Sequence, residues 1–301
     1  MLLKTILQTR MGVSRKLLSR LKLTEQGIML NGKRVYISVK VSPGDLVEIR
    51  MEEERSDDIL PQPMELDILY EDDQLLAVNK PAGLIVHPTH GHYTDTLANG
   101  VVHYWAQKGW NYRFRAVHRL DQETSGVLCI AKNAYVHQHI SEQMIAGTVD
   151  KRYVAFVHGV PEPAEGDIDG PIDRDPLEPH LRMVTPSGYP SLTRYRVREA
   201  YGEAAALVEL KLETGRTHQI RVHMSSIGHP LLGDKMYGSA SPGTDGPAAS
   251  PRLDGLIDRQ ALHAEQLVLV HPMSGQPLEL QAHLPEDMRK LQATLAGKPF
   301  I

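Results

Sequence analysis

The alternation of hydrophobic and polar residues in the first fifty positions predicts one helix followed by a β-hairpin. Ser14 is a suitable helix N-cap, and Leu17 and Leu21 after it share one face at helical spacing. The dipeptide Asn31-Gly32 favours a two-residue hairpin turn, because both residue types tolerate the left-handed backbone that such a turn needs. Hydrophobic residues flank this dipeptide on both sides. The pattern therefore predicts a small α/β module at the start of the chain.

From about residue 66 the pattern changes to runs of strand-like segments with few helices between them. Hydrophobic and charged residues alternate toward the end of the stretch 205–212, and residues 133–147 place apolar side chains at helical spacing between Asn133 and Gly147. Runs of strands with scattered helices favour the α+β class over a doubly wound fold. We therefore predict a largely antiparallel mixed sheet with flanking helices and loops. Residues 239–255, rich in Gly, Pro, Ser and Ala, are predicted to form a loop.

A segment rich in carboxylates and proline separates the module from the rest of the chain. Residues 52–65 include Pro61 and Pro63 and have the composition of a linker. This predicts a module with an acidic linker over residues 1–60 and a second domain over residues 65–301. Few contacts are expected across that boundary.

The charges are distributed unevenly, although the net charge is only −4. Residues 1–50 hold ten Lys or Arg against three Asp or Glu, whereas residues 51–75 hold one Arg against ten Asp or Glu. A basic module is typical of proteins that bind nucleic acid, but a solvated charged face gives the same count. The candidate RNA-binding residues in the module are Arg15, Lys16, Lys33 and Arg34.

Composition argues against several other classes of protein. Cys129 is the single cysteine, so neither an intrachain disulfide nor a cysteine-based zinc site can form. Among the 15 histidines, those at 87, 90 and 92 cluster without a carboxylate partner, so no metal site is predicted. No apolar stretch is long enough to span a bilayer, and no membrane partner is expected. A reducing cytoplasm fits this composition best.

Three stretches contain more polar groups than packing requires. They are HRLDQETSG from residue 118, KRYVAFVHG from residue 151 and LETGRTHQIRVHMSSIGHPLLGD from residue 212. Each also has an ordinary structural interpretation. Asp121 is then a turn residue, Tyr153 a core aromatic residue, and Arg216 a donor to backbone carbonyls.

Five ordered segments resemble the pseudouridine synthases of the RluA type, which isomerise uridine in RNA. They are NKPAGLIVHP, HRLDQETSGVLCIAKN, KRYVAFVHG, TGRTHQIRVHMSSIGHPLLGDKMYG and LHAEQLVLVHP. The order and spacing of all five are family-like, and the resemblance covers nearly the whole chain. The segments GIMLNGKRV and VSPGDLVEI make the N-terminal module similar to an S4 RNA-binding domain, although the opening helix phrase of that domain is missing. Tyr189 stands where family members often have Lys.

The resemblance implies a pseudouridine synthase fold and assigns roles to individual residues. Asp121 would be the essential catalytic carboxylate, Arg216 its charge partner, and Tyr153 an aromatic group that stacks on the target base and helps to remove the C5 proton. Arg119 would enter the RNA as the target nucleotide leaves the stack, and His118 would order the loop. The isomerisation includes no redox step and no hydrolysis, so no cofactor is expected.

Two further classes of function remain open from the sequence. A non-catalytic RNA-binding assembly factor would keep the fold, but it would not need a free carboxylate facing RNA. A glycosidase-like hydrolase would need a second positioned carboxylate, and Glu123 is merely adjacent in sequence. Of the RNA substrates, 23S ribosomal RNA is the preferred expectation and transfer RNA the alternative. A monomer is expected.

Overall fold

The computed structural model describes residues 1–238 and 250–298. The helices are α1 (Leu3–Thr9), α2 (Arg15–Leu21), α3 (Leu97–Gln107), α4 (Ala134–Ile145), α5 (Gln219–Ser226), α6 (Pro251–Asp254) and α7 (Glu286–Leu295). The strands are β1 (Ile28–Leu30), β2 (Lys33–Arg34), β3 (Val47–Ile49), β4 (Ile68–Glu71), β5 (Leu75–Lys80), β6 (Ser125–Ala131), β7 (Asp150–His158), β8 (Glu165–Asp169), β9 (Ile172–Arg174), β10 (Arg182–Val184), β11 (Leu192–Tyr201), β12 (Ala205–Leu212), β13 (Leu262–Val270) and β14 (Pro277–Gln281).

The N-terminal module packs two short helices on a three-stranded antiparallel sheet. The predicted helix α2 begins after Ser14, whose hydroxyl accepts a hydrogen bond from the backbone N–H of Leu17 at 3.2 Å. The predicted hairpin joins β1 and β2 through Asn31 and Gly32, both at positive φ. Both predictions are confirmed. The sequence pattern did not predict α1, although Leu3 and Leu7 of this helix are fully buried in the module's core.

Apart from a separate two-stranded antiparallel sheet of β9 and β10, the strands in the rest of the described chain form one nine-stranded sheet. Its order is β4-β5-β6-β13-β7-β12-β11-β8, and β14 pairs with β13. All the pairings are antiparallel except that of β13 with β6, so the predicted α+β class with a largely antiparallel mixed sheet is confirmed. Every residue of β6 is buried, because β5 and β13 flank this strand and helices cover the sheet.

The two faces of the sheet pack against different helices. Alternate residues of β6 and β7, including Leu128 and Tyr153, pack against α3 and α5 in the largest hydrophobic cluster. Val127 and Cys129 point to the opposite face, where Val136 and Ile140 of α4 cover them. Asn133 caps α4 as predicted, since its side chain accepts a hydrogen bond from Val136 N–H at 2.9 Å. The face that carries α5 is therefore the one that bears Tyr153.

The acidic segment is packed on the body, and the expectation of few contacts across the boundary is wrong. Ser56 and Ile59 are buried, and the Ser56 hydroxyl accepts a hydrogen bond from Phe114 N–H at 2.7 Å. Glu54 forms ion pairs with both Arg20 of the module and Arg115 of the body. A charged segment can pack in this way because one carboxylate joins two guanidinium groups that would otherwise repel each other.

The module also contacts helix α4 directly. The Tyr135 hydroxyl donates a hydrogen bond to the Met11 carbonyl at 2.7 Å, and the Gln138 amide donates one to the Gly12 carbonyl at 2.9 Å. A Cβ added at Gly12 would lie 2.5 Å from the ring of His139, so this approach requires glycine. The module and the body therefore share an interface.

Two further sequence predictions concern the surface of the molecule. Residues 239–249 of the predicted loop 239–255 lie outside the described residues, whereas Pro251–Asp254 forms the short helix α6 rather than loop. In the described parts of the chain, no helix combines the length and the apolar character that a membrane span requires.

Candidate active site

Asp121 lies in the turn that leads into the buried strand β6. The backbone closes this turn with a hydrogen bond from Thr124 N–H to the Asp121 carbonyl at 3.0 Å. The side chain of Asp121 is 28% exposed, so the carboxylate remains accessible from solvent. The turn-forming residue types around Asp121 predict this local structure. The rigid strand that follows fixes the position of the carboxylate against the sheet.

Arg221 of helix α5, not Arg216, is the charge partner of Asp121. Its Nη1 lies 3.4 Å from Oδ2 of Asp121, while Nε and Nη2 donate to the two carboxylate oxygens of Asp234 at 2.7 and 2.8 Å. Asp234 is fully buried and Arg221 nearly so. The bidentate pair with Asp234 locks the guanidinium in place, so that its remaining nitrogen is directed at Asp121.

Arg216 lies five residues earlier, in the exposed loop before α5. Its Nε donates to the Pro190 carbonyl at 3.3 Å, and its guanidinium lies 5.5 Å from the centre of the Tyr189 ring. The prediction that Arg216 pairs with Asp121 is therefore wrong, and donation to a backbone carbonyl, the alternative left open by the sequence, is what the structure shows. The helix begins at Gln219, and this start directs Arg221 inward while the loop leaves Arg216 in solvent.

His218 precedes α5 and also approaches the carboxylate of Asp121. Its backbone is left-handed, with φ 58°, and its Nε2 lies 3.9 Å from Oδ2 of Asp121. Its Nδ1 is 2.9 Å from the hydroxyl of Tyr237. Burial lowers the pKa of His218, although the charge of Asp121 opposes this shift. A neutral His218 beside Asp121 leaves Arg221 as the positive charge at this carboxylate.

Tyr153 lies in strand β7, on the same face of the sheet as helix α5. The side chain is buried between β12 and β13, where its backbone pairs with Leu210 and Ala264. Burial, and secondarily the negative charge of Asp121, raise the pKa of the Tyr153 phenol. The phenol therefore stays protonated near neutral pH, so it offers an aromatic ring and a hydroxyl donor rather than a base.

Lys80, in the segment NKPAGLIVHP, connects that segment to the turn of Asp121. Its side chain is completely buried, and Nζ donates to the carbonyls of Pro81 and Leu84 at 2.8 Å and of Gln122 at 2.9 Å. Burial lowers the pKa of Lys80 to about 7, while the charges of Glu123 and Asp121 oppose the shift. Sequence analysis missed this residue. The lysine directly before a proline at the end of a buried strand was the available signal.

Arg259 supports the same turn from the C-terminal part of the chain. Its guanidinium donates to the Glu123 carbonyl at 3.0 Å and forms an ion pair with Asp287 at 2.7 Å. At the start of β6, Gly126 has φ 117°, and a Cβ there would lie 2.2 Å from the Ala264 carbonyl. Glycine is therefore required at position 126, where the turn of Asp121 enters the sheet. Sequence analysis singled out neither residue.

The remaining predicted site residues lie at separate places. The His118 ring accepts a hydrogen bond from Cys129 N–H at 3.3 Å, and burial, with the nearby Lys151, lowers its pKa to about 4. Arg119 is exposed beside Asp121. The module contains the other four predicted residues, all of them exposed and far in sequence from Asp121: Arg15, Lys16, Lys33 and Arg34. No group of three or more His, Cys, Asp or Glu that could hold a metal ion occurs in residues 1–238 and 250–298.

Comparison with known proteins identifies the family. Residues 74–226 match the family model described as RNA pseudouridylate synthase, a range that contains Asp121, Tyr153 and Arg221. The chain is 43% identical to the uncharacterised RNA pseudouridine synthase YlyB of Bacillus subtilis, over 88% of this chain and 84% of that protein. It is 40% identical to ribosomal large subunit pseudouridine synthase D of Yersinia pestis, over 91% of this chain and 85% of that protein.

A solved structure supports the same assignment. Human RNA pseudouridylate synthase domain containing 4 superposes with a TM-score of 0.59 and 28% sequence identity, covering 77% of this chain and 93% of that one. The family model does not extend to the N-terminal module. The sequence matches and the shared fold show that this chain belongs to the RNA pseudouridine synthases, the isomerases that convert uridine in RNA to pseudouridine.

Proposed function

We propose that this chain isomerises uridines of 23S ribosomal RNA with Asp121 as the catalytic carboxylate. One observation carries the assignment of the residue: the accessible carboxylate of Asp121 meets the locked guanidinium of Arg221 beside the phenol of Tyr153. The name of the Yersinia pestis relative supports the choice of RNA. A monomeric enzyme in the cytoplasm is the simplest form of this proposal.

The reaction breaks the bond between N1 of uracil and C1′ of the ribose and forms a bond between C5 and C1′. N1 gains a proton and C5 loses one, so the reaction is an isomerisation without an external reactant. A carboxylate can promote bond cleavage by attack on C1′ or by removal of the 2′ proton, and both routes need Asp121 ionised. Arg221 stabilises this charged form and fixes the direction of the carboxylate.

Tyr153 would bind the displaced base, and Arg119 would fill the space that the base leaves in the RNA. The target uridine has to leave its stack, or lie in a loop, before a carboxylate can reach the sugar. The ring of Tyr153 would then stack on the displaced uracil. Because its pKa is raised, the phenol would donate a hydrogen bond and would not itself take the C5 proton near neutral pH. Exposed Arg119, two residues from Asp121, would occupy the space in the RNA.

A map of pseudouridines in RNA from cells with and without the gene tests the choice of substrate. We expect specific sites in 23S ribosomal RNA to disappear on deletion and to return with the wild-type gene but not with the Asp121→Asn gene. Loss of sites confined to transfer RNA would replace the proposed substrate by the alternative. An unchanged map would contradict the proposal.

A further inference from the structure

Lys151 has no counter-ion at the edge of the candidate active site. It precedes Tyr153 by two residues in β7, so both side chains lie on the same face of the sheet. The side chain is partly buried, yet its ammonium group takes part in no ion pair or hydrogen bond within the described parts of the chain. Burial lowers the pKa of its ammonium group, and Glu213 opposes the shift only through its more distant charge.

Three buried or partly buried cations nearby are held by partners. Arg221 pairs with Asp234, and Lys80 donates to three carbonyls. On the opposite face of the sheet, Lys211 lies 3.8 Å from carboxylate oxygens of both Asp150 and Glu213. Glu213 also pairs with Arg194 at 3.0 Å, so its carboxylate is already shared. An unpaired, partly buried ammonium costs folding free energy, and such groups cluster at functional sites.

The surroundings of Lys151 leave space for a ligand. The nearest atom to a Cβ built at Gly215 is Nζ of Lys151, at 3.9 Å, so the ammonium borders the loop that leads to His218. Gly215 is exposed and has no side chain of its own to cover the ammonium group. The ring of His118 is near enough for the charge of Lys151 to help lower its pKa, and because that pKa is about 4 the ring is neutral near pH 7. Neither neighbour supplies negative charge.

We propose that Lys151 binds a backbone phosphate of the RNA directly beside the displaced uridine. This inference rests on the proposed function. A base that stacks on Tyr153 is separated from its own phosphate by one sugar, and the two-residue step from Tyr153 to Lys151 is about 6–7 Å along the strand. An ammonium is a compact point charge that suits a phosphate oxygen. The bound phosphate would supply the missing negative charge and hold the nucleotide with its ribose near Asp121.

The test combines a charge deletion in the protein with a charge deletion in the RNA. The full-length protein is compared as wild type, Lys151→Met, Lys151→Arg and the matched control Lys211→Met. The substrate is a synthetic stem-loop with the uridine identified by the map, labelled with tritium at C5. Two further stem-loops carry an uncharged methylphosphonate at the linkage 5′ or 3′ to that uridine.

We expect Lys151→Met to lower kcat/KM by about tenfold to a hundredfold, the range for loss of a charge-assisted hydrogen bond, while Lys211→Met stays near wild type. Lys151→Arg should recover part of the activity. One methylphosphonate linkage should impair the wild type and leave Lys151→Met unaffected. The melting temperature of Lys151→Met should equal or exceed that of the wild type, because the variant no longer buries an unpaired charge. A purely structural role would lower it.

Three results would overturn the proposal. If Lys151→Met matches Lys211→Met on a stem-loop that the wild type converts, Lys151 binds no phosphate, and the proposed function stands. The same conclusion follows if the effects of Lys151→Met and of both methylphosphonates multiply independently. If the wild type releases no tritium from ribosomal or transfer RNA, the proposed function and the role of Lys151 fall together.

Discussion

Positive charges are exposed in the N-terminal module but buried and held in place in the candidate active site. In the module, Arg15, Lys16 and Lys33 are exposed to solvent, where a cation attracts any polyanion and is screened by salt. In the candidate active site, Arg221 is buried and held by an ion pair with Asp234, and Lys80 is buried and held by backbone carbonyls. A cation held in this way has a fixed position and orientation, so it interacts with one particular partner. We therefore expect affinity for long RNA to depend mainly on the exposed charges of the module and the chemical step mainly on the held charges of the site, so that the two can be altered separately.

The largest expected effect is that of Asp121→Asn on turnover. The amide keeps the size of the side chain but has neither the negative charge nor the nucleophilic oxygen, so the rate should fall by about three orders of magnitude or more. Tritium release from C5-labelled RNA measures the rate, and filter binding of the same RNA measures affinity. Affinity should change little. Turnover like that of the wild type would remove Asp121 from the mechanism.

Arg221→Met and Arg216→Met distinguish a held cation from an exposed one a few residues away. Loss of Arg221 leaves Asp234 buried without its partner and Asp121 without its nearby charge, so turnover should fall by about a hundredfold or more, and stability should also fall. Arg216→Met removes one contact to the Pro190 carbonyl and should cost much less. Rates at matched folded fraction, checked by circular dichroism, decide the order. A larger loss for Arg216→Met would restore the pairing expected from the sequence.

Neutralising the exposed charges of the module should affect binding but not chemistry. Replacement of Arg15, Lys16, Lys33 and Arg34 by Gln removes up to four phosphate contacts. The slope of log Kd against log salt for long ribosomal RNA should therefore decrease by up to about three to four. Turnover on a short stem-loop should persist. The control replaces Arg194 and Arg196, exposed arginines of the body that already pair with carboxylates, and the change in slope is compared per charge removed. An equal change in slope for this control would mean that the module is not the RNA anchor.

The smallest expected effect is a loss of folding stability at acid pH. All the histidines lie in the body and none in residues 1–50, so the body should be more sensitive to acid than the module. Burial lowers the pKa of His118 from 6.5 to about 4, so the unfolded chain binds more protons between these values. Stability therefore falls as the pH falls from 6.5 to 4, and His118 should contribute about 2 kcal/mol to the loss between pH 7 and pH 5.

Urea unfolding followed by fluorescence tests this, since Trp105 and Trp110 both report on the body. His118→Gln should reduce the loss of stability between pH 7 and pH 5, whereas replacement of the exposed His90 by Gln should leave it unchanged. Amide exchange in β1 of the module should depend less on pH than exchange in β6. Equal acid sensitivity of the two regions would contradict the difference drawn between them.

Local features could be read from the sequence, whereas contacts between distant residues could not. The caps at Ser14 and Asn133, the turn at Asn31 and the buried strand β6 depend on neighbouring residues, and the structure confirms them. The choice between Arg216 and Arg221 depends on where α5 begins, and no local pattern determined that residue. Arg259 is recognisable only once the fold brings Glu123 and Asp287 to it. The contacts of Glu54 could not be predicted either, because a linker rich in proline and charge has the same composition whether it is free or packed on a domain.

The position of β13 has a consequence for synthesis of the protein. This strand, Leu262–Val270, lies between β6 and β7 in the middle of the sheet, although it is next to last in the chain. Until residue 270 has left the ribosome, the nascent chain holds two half-sheets with unpaired edges, one bearing Asp121 and the other Tyr153. Such non-local pairing slows folding and exposes edges that aggregate. A premature stop codon before Leu262 should therefore yield no partly active enzyme, since Asp121 and Tyr153, the two groups proposed for catalysis, would belong to separate, unjoined pieces.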